Sequence, residues 1–283
     1  MKTGKTLGGL FFLSAFLNLG ATSLKTLDKS KPTLNQKRLK NIITPEKINY
    51  VVRNFCLDSY SIGENLFTRQ SMKVLAATVP FYLIGRKVDP SLHRQFYNKV
   101  THQNRNQPPK ILKDILTREA MAIPFGIYAI VGWISKDSYK KREAQIFTVG
   151  LIWTWSTKVL LKQIKIDAGL RPWHEEHSRH KQSHGGSPSG HTSTASFMAA
   201  YLWLAKGPNY GVPLSAYAGL VGIISTAGNH HYASQVIAGA GLGAMIAYAA
   251  HSTLRNIKMP EGVEVGLATD NRGALGVRIA YAF

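Results

Sequence analysis

A succession of uncharged, Ala/Gly/Leu-rich stretches at about 120–135, 146–157, 187–205, 212–229 and 232–250 constrains this chain more than any other feature. Each is too long for an ordinary strand, and short polar turns such as 135–140 and 206–210 separate them, so the pattern predicts helices packed side by side. An earlier apolar segment, Val74 to Ile84 within the run Lys73–Arg86, contains Pro80, and a break is expected there. A basic connection follows, with Gln107-Pro108-Pro109 as a helix breaker. Residues 24–72 are polar and basic with weak periodicity and predict an irregular or partly helical arm. At the other end, Val263–Ala268 and Leu275–Phe283 alternate around 269–273, the pattern of a β-hairpin. One hairpin cannot close a membrane barrel, and an open edge is not viable in lipid, so it is expected to pack on the helices. The expected fold is an all-α helical bundle with a C-terminal β-hairpin. Its parts are a leader (1–23), the arm (24–72), the helical domain (73–258) and a hairpin tail (259–283).

The leader is read from Lys2 and Lys5, the apolar run Leu7–Leu19, and the small residues Ala21-Thr22-Ser23. These form the three regions of a secretory signal peptide cut after Ser23; an uncleaved N-terminal anchor is the alternative. The expectation is export to the periplasm or cell envelope. The 35 Lys and Arg against 15 Asp and Glu give a formal charge of +20, which attracts anions such as phosphorylated molecules or acidic headgroups. The basic residues are scattered and no nucleic-acid motif is present, so no nucleic-acid partner is expected. A single cysteine, Cys56, excludes an internal disulfide. The last two apolar stretches are nearly long enough to span a bilayer. Several others fall short of the roughly 20 residues a span needs, and mean hydropathy is only −0.09. A compact bundle, membrane-associated, fits better than spanning helices.

Chemistry concentrates in three segments. Ser187-Pro188-Ser189-Gly190-His191-Thr192 leads into the helical stretch Ser193–Leu204. Glycine admits a phosphate oxygen to the backbone, the first amides of a helix point at an anion, and Ser189 and His191 add donors. Upstream, Lys162, Lys165 and Arg171 lead to Pro172-Trp173. Downstream, His231 opens the last apolar helix, with Gln235 four residues on and on the same face.

Together the segments resemble the signature blocks of the type 2 phosphatidic acid phosphatase and vanadium haloperoxidase superfamily: Lys-x6-Arg-Pro, Pro-Ser-Gly-His and Ser-Arg-x5-His-x3-Asp. The likeness spans about 120–250 and is detailed over 158–243. It implies that Arg171, with Lys165, Ser189 and Gly190, holds a phosphate. His231 would attack phosphorus to form a phosphohistidine, and His191 would protonate the leaving oxygen. It further implies phosphomonoester or lipid-phosphate substrates, no metal or other cofactor, and inhibition by vanadate.

Three positions depart from the pattern. Ile164 stands where the first block has Lys, with Lys165 one place nearer Arg171. Ser225 stands where the third block has Arg, and Gln235 where it has Asp. Gln235 can accept a hydrogen bond from the His231 ring but brings no negative charge. His230 with Ser234 offers a second register. The departures leave a rival: a catalytically degenerate envelope protein that keeps the fold and binds anions. A haloperoxidase would need tighter oxyanion capture than the missing Arg allows. His174, His177, His180 and His184 could bind zinc, although a solvated loop over the pocket mouth accounts for them more simply. Trp153, Trp155 and Trp173 are expected to pack in the bundle or at an interface.

Overall fold

The computed structural model describes residues 45–98, 100–101, 103–114, 118–164, 186–255, 263–269 and 275–281. The leader, Lys165, Arg171, Trp173 and the four histidines of 174–184 lie outside the described residues. The chain divides into two units, Met1–Gly63 with Lys258–Phe283, and Glu64–Ile257. In the first, helix α1 (Pro45–Leu66, its last turn entering the second unit) is amphipathic, with Leu57 and Ile62 buried and Val51 and Tyr60 exposed. The arm is therefore helical from residue 45 onward. Strands β3 (Val263–Thr269) and β4 (Leu275–Tyr281) form the expected antiparallel hairpin, with Val263 opposite Tyr281 and Thr269 opposite Leu275.

The second unit holds helix α2 (Arg69–Phe96), a two-residue ladder of β1 (Tyr97–Asn98) and β2 (Gln103–Asn104), and helices α3 (Lys110–Asp114), α4 (Arg118–Ile134), α5 (Ser138–Gln163), α6 (Gly190–Lys206), α7 (Pro208–Ala227) and α8 (Ala233–Arg255). The fold is all-α, a helical bundle followed by the hairpin. Local chemistry sets several boundaries. Asp137 caps α5 by accepting from the Tyr139 and Lys140 N–H groups. Gly207, at φ 83°, turns the chain between α6 and α7, and Pro208 starts the next helix.

Helix α8 is the hub, packing on α6, α2 and α5, while α7 lies on α6. Aromatic side chains fill the layer between α5 and α6. Phe147 lies 5.5 Å from Phe197 and 5.4 Å from Tyr201, ring centre to ring centre. Tyr201 also donates its hydroxyl to the Glu143 carbonyl at 2.9 Å.

Two expectations need correction. Helix α2 does not break at Pro80; it runs through Pro80 and Pro90 to Phe96. The expected basic connection is thus helical for its first ten residues. A proline costs one intrahelical hydrogen bond, and long contact with α8 holds the helix across it. That contact is close because a Cβ on Gly85 would sit 3.0 Å from Ser234 Cα.

The outer faces are unusually apolar. Phe81, Leu83 and Ile84 of α2, and Ile127, Ile130, Val131 and Ile134 of α4, are all exposed. By length and composition α7 and α8 could each cross a membrane, although most of α8 is buried in the bundle.

Candidate active site

Helices α6 and α7 are joined by a single residue, and α7 and α8 by five. The start of α6, the end of α7 and the start of α8 therefore meet at one end of the bundle. Small residues let α6 and α8 touch there: a Cβ on Gly239 would come within 2.5 Å of the Ser189 carbonyl oxygen. The Ser189 N–H donates to the Gln235 carbonyl at 2.9 Å. The Ser187–His191 segment is thus docked on the first turn of the helix that follows His231. The Ser187–Pro188 peptide is cis.

Ser189 is fully buried and caps α6, its Oγ lying 3.1 Å from Thr192 Oγ1 and 3.5 Å from Thr192 N. Gly190 and His191 form the first helical positions, whose N–H groups have no acceptor within a helix. Lys158, from the last turns of α5, reaches this point: its Nζ lies 3.1 Å from where a Gly190 Cβ would be. The same ammonium is 5.9 Å from the Trp155 ring centre. Trp155 is itself exposed, so it lies at the bundle surface rather than inside it.

The turn carrying His231 is built from the end of α7. The Ser225 carbonyl accepts from the N–H groups of both His230 (3.0 Å) and His231 (3.1 Å). Asn229 takes φ 57°, a left-handed conformation that Asn tolerates. Its Nδ2 donates to the Phe96 carbonyl at 3.1 Å and to Asn104 Oδ1 at 2.7 Å. The β1–β2 ladder therefore braces the turn.

The His231 ring is buried, and its Nδ1 lies 3.1 Å from Gln235 Oε1. That same oxygen accepts from the Tyr232 N–H at 3.3 Å. The Tyr232 donor decides the orientation of the amide, because a flipped amide would set N–H against N–H. An amide oxygen cannot donate, so Nδ1 carries a proton, and in the neutral ring Nε2 then keeps its lone pair. Gln235 thereby favours the neutral tautomer protonated on Nδ1.

The second register is not formed. Ser234 Oγ donates to Asp89 Oδ2 at 2.6 Å, and the Ser234 N–H donates to Asp89 Oδ1 at 3.1 Å. Ser225 is fully buried, and its Oγ has no hydrogen-bond partner among the described residues.

Of the sequence-derived candidates, Ser189, Gly190, His191, His231 and Gln235 fall on the two adjoining helix starts. Lys165 and Arg171 lie outside the described residues. Sequence reasoning missed Lys158, Asp89 and Asn229. The signal for Lys158 was its spacing, since Lys158, Lys162 and Lys165 repeat at helical intervals. Asp89, between basic residues and a proline, carries no local signal.

A family model described as the PAP2 superfamily matches residues 146–258. No curated protein and no solved structure matches the chain.

Proposed function

We propose that this chain, which belongs to the PAP2 superfamily through residues 146–258, is a phosphatase hydrolysing phosphomonoesters or lipid phosphates through a phosphohistidine at His231. The observation that carries the reading is the seat of His231: a buried imidazole whose Nδ1 lies 3.1 Å from Gln235 Oε1, an arrangement that in the neutral ring makes Nε2 the attacking nitrogen. In the first step Nε2 bonds to phosphorus and the bond from phosphorus to the ester oxygen breaks. His191 gives that oxygen its proton. In the second, water attacks phosphorus, the P–N bond breaks, and His191 regains a proton from the water. The start of α6, Ser189, Gly190 and the Lys158 ammonium stabilise the phosphoryl oxygens; by the family resemblance Arg171 and Lys165 join them. No metal enters this scheme, and vanadate would inhibit by occupying the phosphoryl position.

The exposed apolar residues of α2 and α4 and the net positive charge support association with a membrane, and with it lipid phosphates within the substrate class. Export through the residue 1–23 leader belongs to the same reading. A second reading, an anion-binding protein without turnover, is favoured by the neutral Gln235 and by Ser225 where the family has Arg. Phosphate release from a panel of soluble and lipid phosphates separates the two. The phosphatase reading expects turnover that His231→Ala abolishes and a phosphohistidine trapped on acid-free quench. Vanadate binding without any turnover would establish the second reading instead.

A further inference from the structure

The neutral Gln235 leaves the His231 turn without a carboxylate on its own helix, yet a carboxylate lies against that turn. Asp89 of α2 is 6% exposed, and both its oxygens are engaged by Ser234, three residues after His231 and one before Gln235. The N-cap position of α8 is Tyr232, whose side chain cannot cap. Gln235 reaches back to the Tyr232 N–H, as the third helical residue does in a capping box. The other half of that arrangement comes from Asp89, on a helix 145 residues away in sequence. Gly85, one turn earlier on α2, permits the approach: a Cβ there would meet Ser234 N at 3.1 Å. His93, one turn later, is buried and meets the Tyr232 ring edge-on at 5.6 Å. Three successive turns of α2 are thus fitted to the start of α8.

We infer that Asp89 is a positioning residue for His231, holding the first turn of α8 and supplying beside it the negative charge that Gln235 lacks. The inference rests on His231 as the nucleophile. A carboxylate at a helix start is favoured by the helix dipole. In a buried setting its charge also favours the imidazolium that forms as Nε2 bonds to phosphorus. Among the described residues, the elements meeting there also carry Arg86 and His93 on α2, Lys158 and Lys162 on α5, His191 on α6, and His230 in the turn itself, none of them negatively charged. The other carboxylate within these helices, Glu143 of α5, pairs with Lys206 at the opposite end of α6.

The test is Asp89→Asn, which keeps the shape and removes the charge, compared with Ser234→Ala, which keeps the charge and removes one hydrogen bond. The His231 ring is followed by NMR titration of histidine-labelled protein, a readout that needs no turnover. Asp89→Asn should lower the His231 pKa by about half a pH unit or more, and Ser234→Ala should leave it within about a fifth of that range. Where turnover is measurable, Asp89→Asn should reduce kcat roughly tenfold with KM within about twofold. Adding Gln235→Asp should recover most of the loss. An unchanged His231 pKa in Asp89→Asn, or an equal effect of Ser234→Ala, would overturn the inference. If Asp89→Asn alone does not fold, the double variant with Gln235→Asp decides: recovery of fold and pKa supports the inference, and failure overturns it. Absence of turnover in the native protein would count against the phosphatase reading while leaving the titration decisive for Asp89.

Discussion

Because the Tyr232 N–H and the His231 ring share one oxygen of Gln235, the proposed mechanism keeps an orienting contact on His231 that carries no negative charge. Restoring the charge at this position should therefore accelerate the chemical step and change binding little. Gln235→Asp is expected to raise kcat about tenfold with KM near its native value, measured by steady-state kinetics on a soluble phosphate ester. In the proposed mechanism Lys158, beside Gly190, stabilises the phosphoryl oxygens. Lys158→Ala is expected to raise KM and weaken vanadate inhibition about tenfold, the size of one charge-assisted contact, with a smaller effect on kcat. The residues legible in sequence were those whose partners lie within a turn of them. The pair His231 and Gln235 is set by helical spacing, and Ser189 to His191 by a helix start. Asp89 and Asn229 were not legible, because their partners lie 145 and 125 residues away and only the packing of α2 and of the β1–β2 ladder brings them close.

At the scale of elements, the five apolar stretches appear as α4 to α8, since uncharged runs of that length have one way to satisfy their backbone and bury their side chains. Helix α2 was misjudged because Pro80 and Pro90 weigh heavily in any local reading, while the contact with α8 that outweighs them is not local. The packing of α6 on α8 places the Ser189 segment, and it depends on small residues. Gly239→Ala would drive a methyl into the Ser189 carbonyl, so it is expected to cost about 1–3 kcal/mol and to reduce turnover as the segment shifts, read by urea denaturation and by kinetics. At the opposite end of α6, Lys206 pairs with Glu143 at 2.6 Å, and Glu143 is buried and also accepts from Tyr128. Burial and the Glu143 charge push the Tyr128 phenol well above its ordinary value, so it remains a donor. Lys206→Met would leave the carboxylate without its cation. The expected loss is about 3 kcal/mol of stability, with the His231 pKa unchanged, because the pair lies at the far end of α6 from Ser189.

For the whole molecule, the strongest unassigned feature is the pairing of exposed apolar helix faces with an excess of positive charge. Phe81, Leu83 and Ile84 on α2, and Ile127, Ile130 and Ile134 on α4, would each lose water on contact with a bilayer. At roughly 25 cal/mol per Å² of apolar surface, a handful of such side chains suffices for reversible adsorption. The charge of +20 adds attraction to anionic headgroups that salt screens over a Debye length of about 10 Å at 0.1 M. The two contributions have separate signatures. Flotation with vesicles of mixed neutral and anionic phospholipid should capture the protein, and raising salt should weaken capture without abolishing it. Phe81→Ser with Ile84→Ser should weaken it at every salt concentration, while turnover of a soluble phosphate ester stays at the native level because neither residue touches the His231 turn. Capture that vanishes completely at high salt would assign the interaction to charge alone, and leave the apolar faces to be covered by protein.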